Sequence, residues 1–156
     1  MAIKVLSIGK TKEKYLLGEI DKYLQRISKY ARIQWIELND VRKKSFKSVD
    51  DLKRLEAEAF LAELKPNTFV IGLDEKGKEF SSRDFSKKIN TWTIDNADIA
   101  FVVGGAFGFN QLLYSRMNTM VSLSKMTLNH QMVRLLLVEQ IYRGFSILNG
   151  EPYHND

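Results

Sequence analysis

Apolar residues recur along the chain in two alternating rhythms, short β-type runs and longer stretches spaced at three and four, with few residues between them. That alternation predicts an α/β architecture, a mostly parallel sheet flanked by helices. Ile3 to Ile8 reads as a strand, and Tyr15, Leu16, Ile20, Tyr23, Leu24 and Ile27 then fall on one face of a helix. A second strand is expected near Ile33 to Leu38. Ser48, with Asp51 three residues on, reads as an N-cap with a carboxylate in the first turn. It opens a helix through Leu52, Leu55, Ala59 and Ala62 that Pro66 ends. Thr68 to Leu73 is continuously apolar, as in a strand buried on both faces of a parallel sheet. Ser81 and Asp84 repeat the capping pattern, and Phe80 and Phe85 bracket it as a hydrophobic staple for a third helix.

Ile99 to Val103 predicts a strand ending in Gly104-Gly105, a short helix is expected from Asn110, and Thr119 to Leu123 predicts a fifth strand. Gln131 to Leu148 is the longest helical stretch and is apolar almost all round. A domain of this size cannot easily bury such a helix, so a subunit interface is expected, most simply a twofold dimer, the alternative being a helix sandwiched centrally between the sheet and other helices.

Composition narrows the reading. At 156 residues and 18.0 kDa, residues 1–156 are expected to form one domain. The net charge of +5 is one-sided: Met1 to Arg54 carries fourteen basic and seven acidic residues, and the remainder ten and twelve. A basic N-terminal third suits a polyanionic partner such as RNA. The lack of cysteine excludes disulfides, thiolate zinc sites and cysteine nucleophiles. Two histidines cannot furnish a multi-histidine cluster, so no metal is expected. MAIKVLSIGK does not read as a signal peptide and no apolar run approaches a membrane span, so a cytoplasmic location is expected.

Candidate chemistry gathers at strand ends. Gly9-Lys10-Thr11 imitates the close of a phosphate-binding loop, but Lys4 stands where that motif needs glycine. Gly104-Gly105 with Gly108 approaches a dinucleotide fingerprint without completing it. Ligands in open α/β sheets sit beyond the carboxyl ends of strands, so Leu73-Asp74, Gly104-Gly105 and Leu123-Ser124 point to one crevice. Arg42, Lys43, Lys44 and Lys47 surround Phe46, a set suited to phosphates and an unpaired base, although on this run alone a solvated loop is the stronger reading. His130 reads as a capping or packing histidine, Glu139 and Arg143 as a helix ion pair worth a few tenths of a kcal/mol. His154 falls in a tail of the kind that is ordinarily disordered.

Four segments together resemble the ribosomal RNA large subunit methyltransferase H family, small members of the SPOUT superfamily. They are Gly72-Leu73-Asp74 with Gly77-Lys78; Val102 to Gly105 with Gly108; Ser122 to Leu128 with His130 and Arg134; and Glu139 to Arg143 leading to Pro152-Tyr153-His154. The likeness spans essentially the whole chain. It implies a C-terminal trefoil knot, and a homodimer that uses S-adenosylmethionine to methylate N3 of a pseudouridine in 23S ribosomal RNA within the ribosome. The cofactor-binding positions it implies are Leu73, Gly105, Ser124, Lys125, Met126, Thr127, Leu128 and Asn129. His154 is expected to accept the N3 proton, with Tyr153 and Arg143 orienting the uracil face. The chain departs from the family pattern at Asn129, where proline is usual and a looser cofactor loop is expected. It departs also at Gly144, where alanine is usual and glycine costs about 1 kcal/mol unless packing requires it, and at Asn155, where a cation is usual. The other readings are a tRNA methyltransferase, a non-catalytic RNA-binding or ribosome-assembly factor, and a nucleotide-dependent oxidoreductase.

Overall fold

In the computed structural model, which describes residues 1–41 and 46–156, five strands alternate with five helices among the described residues. Arg42, Lys43 and Lys44 lie outside the described residues. The elements are β1 (Ala2–Ile8), α1 (Lys14–Ile27), β2 (Arg32–Leu38), α2 (Val49–Glu63), β3 (Phe69–Glu79), α3 (Ser82–Asp95), β4 (Asp98–Val103), α4 (Gln111–Arg116), β5 (Thr119–Ser122) and α5 (Met132–Leu148). All pairings are parallel, in the order β2-β1-β4-β3-β5.

Side chains alternate across this sheet with the two-residue period of a pleated strand. Ile3, Val5, Ile71, Leu73, Ile99, Phe101 and Val103 pack with Leu16, Ile20, Phe85, Ile89, Leu137, Val138 and Ile141 of α1, α3 and α5. Leu6, Ile8, Val70, Ala100 and Val102 face the other way, against Ala57 and Phe60 of α2 and Leu113 of α4. The capping residues act as their spacing predicts: Ser48 accepts from Asp51 N and Ser81 from Asp84 N, both at 3.1 Å. Phe85 is buried and Phe80 packs against the same core.

β3 runs well beyond the apolar stretch that announces it. Leu73 and Lys78 both lie opposite Val121 of β5, so the chain leaves the sheet after Leu73 and re-enters at Lys78. The excursion is polar because it borders solvent, and hydrophobic rhythm therefore gives no sign of it. Re-entry brings the backbones very close: a Cβ on Gly77 would lie 2.6 Å from the Val121 carbonyl carbon. No helix among the described residues is long and apolar enough to cross a membrane.

Candidate active site

The carboxyl ends of β3, β4 and β5 meet in a cleft of about 530 Å³. The β3 excursion supplies Leu73, Asp74 and Glu75, and the β4–α4 loop supplies Gly104 to Phe109. The end of β5 and the β5–α5 loop supply Ser122, Leu123, Ser124 and Met126 to His130. Tyr114 of α4 and Lys53 of α2 complete the wall. Gly105 packs closely on the buried Glu56, whose carboxylate would have to shift to admit a Cβ that would lie 2.7 Å from it. The volume falls in the range of small-molecule sites, and walls shared between apolar side chains and polar groups suit an amphipathic ligand.

The two flexible borders of the cleft are tied together. Thr127 Oγ1 donates to Glu75 Oε2 at 3.0 Å, joining the β5–α5 loop to the β3 excursion. Within that loop Ser122 Oγ donates to Ser124 O at 2.8 Å, and Ser124 Oγ accepts from Met126 N at 2.9 Å. Asn129 is itself well bonded. Its Oδ1 accepts from Gln131 N at 2.8 Å and its carbonyl from Val133 N at 3.0 Å, so this residue secures the entry to α5. On the opposite wall Tyr114 donates its hydroxyl to Asp74 Oδ2. Burial, then that bond to a carboxylate, pushes the phenol up to about 12.

Beneath the lip, Arg134 is 1% exposed and fully engaged. Its Nη2 donates to Ile8 O at 2.6 Å, its Nη1 to Gly9 O at 2.9 Å and to Glu37 Oε2 at 3.0 Å, and its Nε to His130 O at 3.2 Å. Glu37 Oε2 also accepts from Thr11 N and Oγ1, at 2.5 and 2.6 Å. One side chain thus fixes the end of β1, the end of β2 and the last residue of the cleft loop.

A second constellation forms where the tail folds back on α5. Glu139 Oε1 accepts from Arg143 Nη2 at 2.5 Å and Nε at 3.1 Å, and from Tyr153 OH at 3.0 Å. The pair expected to be a simple helix ion pair is the hub of this cluster. Tyr153 also meets Tyr23 OH at 3.0 Å, stands edge-on to Tyr142 with centroids 4.7 Å apart, and lies under the Arg143 guanidinium. Burial, with the bonds to Tyr23 and Glu139, raises the Tyr153 phenol above its ordinary range. Pairing with Glu139 raises Arg143.

His154 is held on both sides. Arg143 Nη1 lies 3.2 Å from Nδ1 and Asp156 Oδ1 lies 3.1 Å from Nε2. A guanidinium only donates, so Nδ1 presents its lone pair and Nε2 carries the hydrogen. The tail is therefore docked, against the expectation of disorder. Glu151 N donates to Ser146 O at 2.9 Å, and the Glu151 carboxylate accepts from Tyr30 OH at 2.6 Å.

The structure gathers the cofactor-assigned residues Leu73, Gly105, Ser124, Met126, Thr127, Leu128 and Asn129 around the cleft. It leaves Lys125 out: that side chain is 88% exposed, with Glu79 at 3.9 Å. Arg143, Tyr153 and His154 come together with one another but not with the cleft. Ten residues of α5 separate Arg143 from Val133 on the cleft wall, about 15 Å along the axis. Of the four cations assigned to RNA, Lys47 alone is described; it is exposed, and its backbone N–H donates to Asp51 Oδ2 at 3.1 Å. Sequence reasoning missed Tyr114, Lys53 and Tyr23. Tyr114 had one signal, its place one turn after the Asn110 cap, whose Oδ1 accepts from Leu113 N at 3.2 Å.

Comparison with known proteins matches residues 1–154 to the family described as "Predicted SPOUT methyltransferase". A protein of Clostridium botulinum strain Okra, named ribosomal RNA large subunit methyltransferase H, is 45% identical over 99% of both chains. A protein of the same name from Clostridium acetobutylicum is 41% identical over 99% of both.

Proposed function

The chain belongs to the SPOUT methyltransferase family, and from that premise we propose that it transfers a methyl group from S-adenosylmethionine to N3 of a pseudouridine in 23S ribosomal RNA. The observation that carries the reading is the cleft where three parallel strand ends converge, walled by the Gly104 to Phe109 loop and by a self-braced loop at Ser124 to Asn129. Its size and its mixed apolar and polar walls fit S-adenosylmethionine, which supplies the activated methyl group. Leu73, Gly105, Met126 and Leu128 would hold it, with the carboxylates of Asp74 and Glu75 standing beside Lys53 and Lys76 around the cleft.

The rest of the chemistry falls to α5 and the tail. Arg143 turns from His154 Nδ1 to a carbonyl oxygen of the uracil ring, which orients the base and frees the Nδ1 lone pair. That lone pair takes the N3 proton as the methyl group arrives, while Tyr153 supports the ring face. Because this cluster stands about 15 Å along α5 from the cleft of its own chain, the tail of a second copy completes each site. The exposed Met132 and Leu136, one turn apart on α5, support a homodimer interface there. The C-terminal knot belongs to the same reading, supported by β5 pairing beside β3 rather than beside β4.

Incubation of the purified protein with methyl-labelled S-adenosylmethionine and intact ribosomes, large subunits or tRNA tests this. Label in one pseudouridine of large-subunit RNA, located by mass spectrometry, is expected; label in tRNA alone, or none, overturns it. His154→Ala is expected to lower kcat by roughly 10²- to 10⁴-fold with cofactor affinity unchanged. An unchanged rate would remove His154 from the chemistry.

A further inference from the structure

The side chain of Asp156 occupies an anion cradle built from two elements. Arg83, in the first turn of α3, donates Nε to Asp156 Oδ1 at 2.7 Å and to Oδ2 at 3.0 Å, and Nη2 also reaches Oδ2. His154 donates to Oδ1 from Nε2 at 3.1 Å, the tautomer that Arg143 imposes from the other side of the ring. A planar guanidinium fork and a ring N–H thus converge on one oxyanion, an arrangement as complementary to phosphate as to carboxylate.

The receiving groups and the occupant are held very differently. The His154 side chain is 16% exposed and locked between Arg143 and Asp156, whereas the Asp156 side chain is 65% exposed. The Arg83 side chain, 53% exposed, is reachable from solvent. An exposed ion pair is easily exchanged for another anion. We propose that this cradle is a binding site for a backbone phosphate of the RNA substrate, and that Asp156 is a built-in stand-in that the phosphate displaces.

The inference rests on the RNA methyltransferase reading and adds to it a phosphate contact outside the cleft and outside the basic N-terminal third. A phosphate accepting from Nε2 would hold the His154 ring with Nδ1 still facing Arg143. Substrate docking would in this way align the group proposed to receive the N3 proton. Asp156 then acts as a gate against weak ligands, since an incoming anion must outcompete a tethered carboxylate.

The test compares the wild type, Asp156→Asn, Arg83→Gln with Asp156→Asn, and Asp95→Asn, which removes the same charge from the exposed far end of α3. Binding of a 23S RNA fragment is measured over a range of salt, with methylation of large subunits in parallel. Asp156→Asn is expected to tighten RNA binding about two- to fivefold, the range for removing an exposed competing pair. It should also lower KM, and adding Arg83→Gln should flatten the logarithmic salt slope by about 0.7 to 0.9, the loss of one phosphate contact. Asp95→Asn should do less, and Arg83→Gln should abolish the gain. A gain no larger than that of Asp95→Asn, or one that survives Arg83→Gln, overturns the proposal while the methyltransferase reading stands. Failure of the wild type to methylate large-subunit RNA overturns both. Inorganic phosphate is titrated in the same assay; saturation of the cradle by it without competition against RNA would show an ion site and overturn the RNA contact.

Discussion

Arg134 shows how one buried residue can organise a lip that no single element owns. Its guanidinium holds three carbonyls and the Glu37 carboxylate while 1% exposed. Truncating one partner of a buried pair leaves the other charge without compensation, so Arg134→Met should cost about 3 kcal/mol in urea unfolding. Arg134→Lys should recover only part, because one ammonium cannot span all four acceptors. A loss below about 1 kcal/mol would mean that the network is dispensable. Tyr114 gives a pH-dependent counterpart. Its folded value is raised to about 12 from an ordinary 10.0, so its contribution to stability is complete below pH 10 and is lost as pH rises through 12. Melting temperatures should therefore fall between pH 10 and 12, and Tyr114→Phe should flatten that fall. Little of this was legible beforehand. Arg134 stood inside a recognised motif with His130 one turn away, but its other partners, at the ends of β1 and β2, lie more than ninety residues off, where no local spacing encodes them.

At the scale of elements the sequence was far more readable, for reasons that can be named. Ser48, Ser81 and Asn110 each accept a backbone N–H three residues on, so the starts of α2, α3 and α4 were written in local chemistry. The second half of β3 was not, because Asp74 to Glu79 carries no apolar rhythm and its course depends on meeting β5. Gly144 lies between these cases. The sequence marks it as a helix glycine with a cost, and the structure supplies the reason: a Cβ there would lie 2.7 Å from Ile89 Cδ1, in a fully buried seam between α3 and α5. Gly144→Ala should accordingly recover none of the roughly 1 kcal/mol that helix propensity offers. Gly144→Leu should lose about 2 kcal/mol or more to overpacking. Thermal melts of the two variants decide this, and a clear stabilisation by alanine would show that the seam has room to relax.

At the scale of the molecule, the two constellations face a distance that one chain does not close. The cleft lies at the start of α5 and the Arg143–Tyr153–His154 cluster near its end, about 15 Å apart, with the exposed Met132 and Leu136 on the same helix. The proposed pairing of two copies across α5 would let the tail of one complete the cleft of the other, and it makes a quantitative prediction. A subunit lacking Tyr153 onward keeps its cleft, and a subunit with Gly105→Leu, whose side chain would be driven against Glu56, keeps its tail. Each variant alone should be inactive as a homodimer. Mixed in equal amounts and allowed to exchange, half of the dimers become hybrids, and each hybrid joins one sound cleft to one sound tail. About a quarter of the wild-type activity should return, as follows from twofold symmetry. Leu136→Glu introduced into both subunits should abolish that recovery by separating the copies, as read by sedimentation. If mixing restores nothing while the hybrids demonstrably form, each chain must bring its own tail to its own cleft, and the tail would have to leave the docked position held by Glu139, Tyr23 and Arg83.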